Sequence, residues 1–150
     1  MNEIDGATLH DLTYSSCSEF IPNFNRAKCI RCYDGDTITL GTVLPGYGNR
    51  RFSCRLLGVH TPELRALDPS EKQLACIARD VVRGLLLHRL VGVTISGIDK
   101  YGRLLVRVST ESHENISDYI IEQGLAVDYA GGKKQPVDWL EKLIEWRSKQ

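Results

Sequence analysis

A chain of 150 residues is long enough for one domain with its own core, and 42% hydrophobic against 25% charged residues is the balance of a globular protein. No stretch nears the roughly 18 consecutive apolar residues of a helical membrane span, which excludes that class. Nineteen basic residues are matched by 19 acidic ones, so contact with a polyanion must come from a few placed cations rather than from net charge.

Residues 1–26 read as a polar, irregular lead-in, with Phe20, Ile21 and Phe24 available to pin its end to the core. Glu3, Asp5 and Asp11 precede any apolar stretch, unlike a secretory leader or an acid-poor transit peptide, so an intracellular, cytoplasmic location is expected. In that setting the odd set of Cys17, Cys29, Cys32, Cys54 and Cys76 reads as reduced thiols.

From Ala27 the pattern changes. Cys29 to Tyr33 leads into the turn Asp34-Gly35, and Thr37 to Leu40 alternates as a second strand. After the turn at Pro45 to Asn49, Arg51 to Val59 reads as a third strand. Asp68-Pro69-Ser70-Glu71 then carries an N-cap acid followed by proline. Leu74, Ile77, Ala78, Val81 and Leu85 follow 3.6 spacing, predicting a helix to about His88. Val91 to Ile95 is a fourth strand, and the turn Asp99 to Gly102 leads to a fifth from Arg103 to Ser109. Ile116 to Gln123 predicts a short helix closed by Gly124. Val137 to Arg147 predicts a last helix whose apolar face holds Trp139, Leu140, Leu143 and Trp146.

Five strands with a helix between the third and fourth is the order of an OB-type barrel. The expected fold is therefore α+β: a five-stranded OB-type β-barrel with about three α-helices, over residues 27–150 behind an N-terminal extension, residues 1–26. Such barrels often bind oligonucleotides or oligosaccharides, but the fold alone assigns no function.

Four side chains near turns carry potential chemistry. Asp36 shares a strand face with Ile38 and Leu40, where a carboxylate needs a cation or donors; an Asx-turn would also satisfy it. Arg55 sits among apolar neighbours inside a strand, where a guanidinium meets an anion, either a protein acid or a phosphate. Glu63 follows a proline in a loop, and Arg103 opens the fifth strand. An acid able to hold a metal, a base and two arginines is the set that phosphodiester hydrolysis uses.

Three segments, Asp34-Gly35-Asp36-Thr37, Arg55 through Glu63 and Asp99-Lys100-Tyr101-Gly102-Arg103, resemble in sequence and order the signature segments of the staphylococcal nuclease (thermonuclease) family. Gln123-Gly124-Leu125-Ala126 is similar to a fourth landmark, so the resemblance spans about residues 27–130. It implies a staphylococcal-nuclease-like domain over residues 27–150, with Ca²⁺-dependent endonucleolytic hydrolysis of DNA or RNA. It makes Asp36 a metal ligand, Thr61 a backbone-carbonyl ligand, Glu63 the water-activating acid, and Arg55 and Arg103 the phosphate-binding arginines. Tyr101 and Tyr129 match tyrosines that line the nucleotide pocket. Nucleic acid is the implied partner, and a monomer without membrane attachment is expected.

His60 departs from the family pattern, which has a metal-binding acid before Thr-Pro-Glu. Imidazole suits Mn²⁺ better than Ca²⁺, so a divalent cation is expected, Ca²⁺ by resemblance or Mn²⁺ because of His60. The alternative is a catalytically weak or inactive nucleic-acid- or protein-binding module on the same barrel; a third reading is an OB domain binding another anion. Gly131-Gly132-Lys133-Lys134 is a basic stretch placed to touch phosphate or to remain a solvated loop, with Lys133 the residue assigned to substrate. Cys29-x-x-Cys32 lies on a strand, where residues three apart are expected to face opposite ways, against a redox or zinc pair.

Overall fold

A computed structural model describes residues 6–150. Its elements in chain order are α1 (Gly6–His10), β1 (Arg26–Cys32), β2 (Thr37–Leu44), β3 (Gly48–Leu56), β4 (Val59–His60), α2 (Pro69–Leu86), β5 (Leu90–Ile98), β6 (Leu104–Ser109), α3 (Ile116–Glu122), β7 (Val127–Asp128) and α4 (Trp139–Ser148). Five strands close a barrel in the order β1-β2-β3-β6-β5, with β5 returning to β1. All neighbours are antiparallel except β3 and β6, which run parallel. This is the α+β, OB-type barrel that the strand order predicts. Among the described residues there are four helices rather than about three: α1, five residues long, is too short to show a periodicity in the sequence.

Alternation along the strands fills the barrel. Ile38, Leu40, Cys54, Leu56, Val93, Leu104, Val106 and Val108 face inward, while α2 covers the barrel with Leu74, Ala78, Val82 and Leu86. A fully buried Leu or Ile contributes about 2 kcal/mol, whereas an exposed ion pair contributes about 0–1 kcal/mol. The apolar interior therefore outweighs any exposed ion pair in holding the fold. α2 starts where Asp68 accepts from the Ser70 amide with Pro69 in the first turn. It ends at Leu86, short of His88, whose positive φ of 66° cannot continue a helix. α4 lies against α2 through Trp139 and Leu143, with Leu140 exposed instead of packed. Of the lead-in aromatics, Phe24 stacks on Phe52 at 5.5 Å, whereas Phe20 and Ile21 remain exposed.

Two departures from simple alternation matter. The third strand does not run to Val59. It stops at Leu56, the chain turns at Leu57-Gly58, and Val59–His60 pairs separately with Val127–Asp128. In β1 the register slips between Cys29 and Arg31. That bulge inserts an extra residue, so Cys29 and Cys32 both point into the core, with their sulfurs 3.6 Å apart. The expectation that they face opposite ways is wrong for this reason.

Candidate active site

The fold brings five separate segments to one depression of about 300 Å³, whose lining includes Asp34, Asp36, Arg55, Thr61, Glu63, Arg103 and Lys134. The 34–37 turn is built first. Asp34 accepts from the amides of Asp36 (3.1 Å) and Thr37 (2.8 Å), so its side chain closes the turn. Gly35 lies where a Cβ would come within 3.1 Å of Thr61 Cγ2 and 3.2 Å of the Ala78 Cβ. Only glycine lets the turn sit this close to α2 and the Thr61 segment. The Thr37↔Arg55 register of β2 and β3 then sets Asp36 beside Arg55.

Arg55 is held on several sides. Its Nη2 lies 3.6 Å from Asp36 Oδ2 and donates to the Val59 carbonyl at 3.1 Å. Nη1 donates to the Leu56 carbonyl at 3.2 Å, and the guanidinium lies over the Tyr129 ring at 5.4 Å. The break at Leu57-Gly58 makes this possible, since it turns the Val59 carbonyl back within reach. Arg103 is fixed by its own turn: Nε donates to Asp99 Oδ2 at 2.7 Å, and Asp99 Oδ1 accepts from the Arg103 amide at 2.9 Å. Arg103 Nη1 donates to Thr37 Oγ1 (3.1 Å), which donates to Asp36 Oδ1 (3.2 Å). Asp99, Arg103, Thr37, Asp36 and Arg55 thus form one connected chain of polar contacts.

Glu63 also lines the depression, with 60% of its side chain exposed. Its amide donates to Glu71 Oε2 at 2.9 Å, which ties the Thr61–Glu63 segment to the first turn of α2. Lys134 Nζ lies 3.7 Å from Glu63 Oε1. Beside the depression runs a groove of about 830 Å³ bordered by Arg55, Lys100, Tyr101, Arg103, Arg107, Tyr129 and Lys134. Tyr101 is 73% exposed, under Arg103 at 5.5 Å and Lys100 at 5.1 Å. Cations interleaved with exposed aromatic faces suit a phosphate backbone with stacked bases.

The electrostatics mark the 34–36 turn. Burial, reinforced by the neighbouring Asp36 carboxylate, pushes the Asp34 carboxyl up to about 7, against the pull of the two turn amides. Asp99 is partly desolvated, yet the amide and guanidinium of Arg103 and the Tyr101 amide hold it below the usual carboxylate range. Two acids crowded in a partly desolvated turn are an arrangement that a hard divalent cation relieves, and their oxygens suit Ca²⁺, Mg²⁺ or Mn²⁺. No group of three or more His, Cys, Asp or Glu side chains gathers as a metal cage among the described residues.

His60 and Lys133 lie elsewhere. They line a separate crevice of about 230 Å³ with Gln135 and Val137, on the far side of the 128–131 segment. The His60 ring meets the edge of Trp139 at 5.5 Å, and its Nδ1 is buried without a hydrogen-bond partner. Burial lowers the imidazole pKa, Lys134 pushes it the same way, and Glu63 and Asp36 oppose. Thr37, Asp99 and Lys134 belong to the site without having been assigned to it from sequence. Asp99 is legible as a turn acid four residues before Arg103, Thr37 closes the Asp34-Gly35-Asp36-Thr37 segment, and Lys134 ends the basic stretch from which Lys133 is singled out.

No helix among the described residues is long and apolar enough to cross a membrane. A search among curated proteins finds no significant match. A family model described as staphylococcal nuclease homologue matches residues 53–148, more than half of the chain. Those residues carry Arg55, Thr61, Glu63 and Arg103, and β2 adds Asp36 to them through its pairing with β3. The closed five-stranded barrel agrees with a family match over more than half of the chain: this chain belongs to the staphylococcal nuclease homologue family.

Proposed function

We propose that the protein is a divalent-cation-dependent endonuclease that hydrolyses phosphodiester bonds of DNA or RNA, with residues 27–150 as the active unit behind the extension, residues 1–26. One observation carries the reading: Asp36, Arg55, Thr61, Glu63 and Arg103, from separate segments, line a single depression that adjoins a cationic, tyrosine-bordered groove.

In this mechanism the groove takes the strand, with Tyr101 and Tyr129 offering ring faces to its bases. Arg55 and Arg103, already oriented by backbone carbonyls, Asp36, Thr37 and Asp99, donate to the non-bridging phosphate oxygens. Their fixed forks meet the extra negative charge of the five-coordinate transition state without reorganising. Glu63 reaches solvent and takes the proton of the attacking water. Asp36, with Asp34 and the Thr61 carbonyl as further oxygens, would hold a divalent cation, which would supply neutralising charge at the phosphate. Ca²⁺ and Mn²⁺ both suit this set, and His60, standing in the other crevice, is not needed to explain either.

A binding module without turnover is the second reading: the cationic, tyrosine-bordered groove would hold a strand whether or not Glu63 activates water. Incubating end-labelled single-stranded DNA and RNA with the protein in EDTA, Ca²⁺, Mn²⁺ or Mg²⁺ separates the two. Internal cleavage with a cation, abolished by EDTA and by Glu63→Gln, is the expected result. Tight binding without cleavage under all four conditions would establish the second reading.

A further inference from the structure

The nuclease reading leaves one contact unused, the pair between Lys134 and Glu63. We infer that Lys134 is a third phosphate-binding cation, parked on the base Glu63 in the free protein and transferred to the phosphate when substrate arrives. The inference rests on the nuclease reading and adds to it a coupling between substrate binding and release of the base.

Position supports it first. Lys134 borders both the acidic depression and the groove, the two spaces a bound strand would occupy together. Its Nζ lies 3.7 Å from Glu63 Oε1 and 5.9 Å from the Tyr129 ring centre, on the ring that also carries Arg55 at 5.4 Å. Lys133, one residue earlier, borders the other crevice instead.

Lability supports it next. Lys134 and Glu63 side chains are 41% and 60% exposed, and an ion pair this open is cheap to break. The ammonium sits on a flexible four-carbon stem with three donors, which suits a cation that changes partner rather than one locked in place. The segment that carries it leaves β7 through Gly131 (φ 103°) and Gly132 (φ 77°), conformations that glycine adopts without strain. Chemistry supplies the direction. A phosphate between Arg55 and Arg103 offers several anionic oxygens to Nζ, against one carboxylate. Once Nζ moves, both Glu63 oxygens are open to the attacking water.

The test is equilibrium binding of a fluorescent single-stranded phosphorothioate oligonucleotide in EDTA, followed by anisotropy over a range of salt. The proteins are wild type, Lys134→Met, Lys134→Arg, Glu63→Gln and the double variant Glu63→Gln/Lys134→Met. Lys134→Met should weaken binding about three- to tenfold and lower the salt slope by about 0.7, the value for one phosphate contact on a single strand. Lys134→Arg should retain both. Glu63→Gln should tighten binding more in the presence of Lys134 than in Lys134→Met, because only then does it free a parked cation. Unchanged affinity and slope in Lys134→Met would overturn the inference, as would equal tightening by Glu63→Gln in both backgrounds. No salt-sensitive binding by wild type would overturn the nuclease reading together with it.

Discussion

Asp36 and Arg55 face each other at 3.6 Å with only 13% and 11% of their side chains exposed. Arg55 also donates from each Nη to a backbone carbonyl, so the pair is built into the wall of the depression rather than resting on it. A lysine delivers the charge but cannot span both carbonyls and a phosphate. Arg55→Lys should therefore keep the fold and lose on the order of a hundredfold in cleavage, the scale of one transition-state donor. Circular dichroism and initial rates on the same preparation check this; near wild-type turnover would assign Arg55 to structure alone.

Removing the acid has a different signature. Asp36→Ala leaves the Arg55 guanidinium largely buried without its carboxylate and strips Thr37 of its acceptor. A loss of about 2 kcal/mol in urea unfolding is expected, toward the lower range for breaking a desolvated pair. Asp36→Asn should cost less stability but as much cation affinity, since it keeps an acceptor and loses the charge.

Asp34 sets a pH dependence. Its folded pKa of about 7 lies above its ordinary value of 3.8, so the folded state holds a proton that the unfolded chain has released. The stability it contributes is full below the unfolded value and is lost as pH rises toward 7. A cation binding beside it favours the ionised form. Mn²⁺ or Ca²⁺ affinity should accordingly fall as pH drops below about 7, with proton uptake by the buffer on binding. Calorimetric titration in two buffers of different ionisation heat checks the proton count, and Asp34→Asn should abolish it.

The barrel was legible because its strands alternate and its turns carry Asp34-Gly35 and Asp99 to Gly102. The helices α2 and α3 announce themselves through Asp68-Pro69 and Gly124. What was not legible depends on local breaks of register. The bulge at Cys29/Arg31 and the turn at Leu57-Gly58 each redirect side chains that simple alternation places elsewhere. In the site, the four residues singled out by charge and position do line one depression. The contacts that hold them, Thr37 between Asp36 and Arg103 above all, join residues up to 66 positions apart and leave no local trace.

The thiols should divide by burial. Cys17 is exposed, Cys76 half-buried, and Cys29, Cys32 and Cys54 are buried in the core. Burial pushes the Cys54 thiol up to about 12, and the shared hydrogen bond pushes Cys32 up while drawing Cys29 down. Maleimide should modify Cys17 first and Cys76 more slowly, with the other three reacting only on unfolding. Mass spectrometry of timed samples reads the order; early labelling of Cys29 would show that the barrel opens near β1.

The His60 ring meets the edge of Trp139 at 5.5 Å, and the side chain is not among those lining the acidic depression. On the proposed donor set of Asp36, Asp34 and the Thr61 carbonyl, which leaves His60 out, His60→Gln should leave Mn²⁺ and Ca²⁺ affinities within about twofold. A tenfold loss confined to Mn²⁺ would bring the imidazole into the cation's shell.

The most direct test of the account is single-turnover cleavage of a single-stranded oligonucleotide at saturating protein, with Mn²⁺ or Ca²⁺, by wild type and Glu63→Gln. If Glu63 takes the proton of the attacking water, the variant should bind the strand at least as tightly and cut it on the order of a hundred- to ten-thousandfold more slowly. Equal cleavage rates at equal occupancy would contradict the assignment of Glu63 as the base.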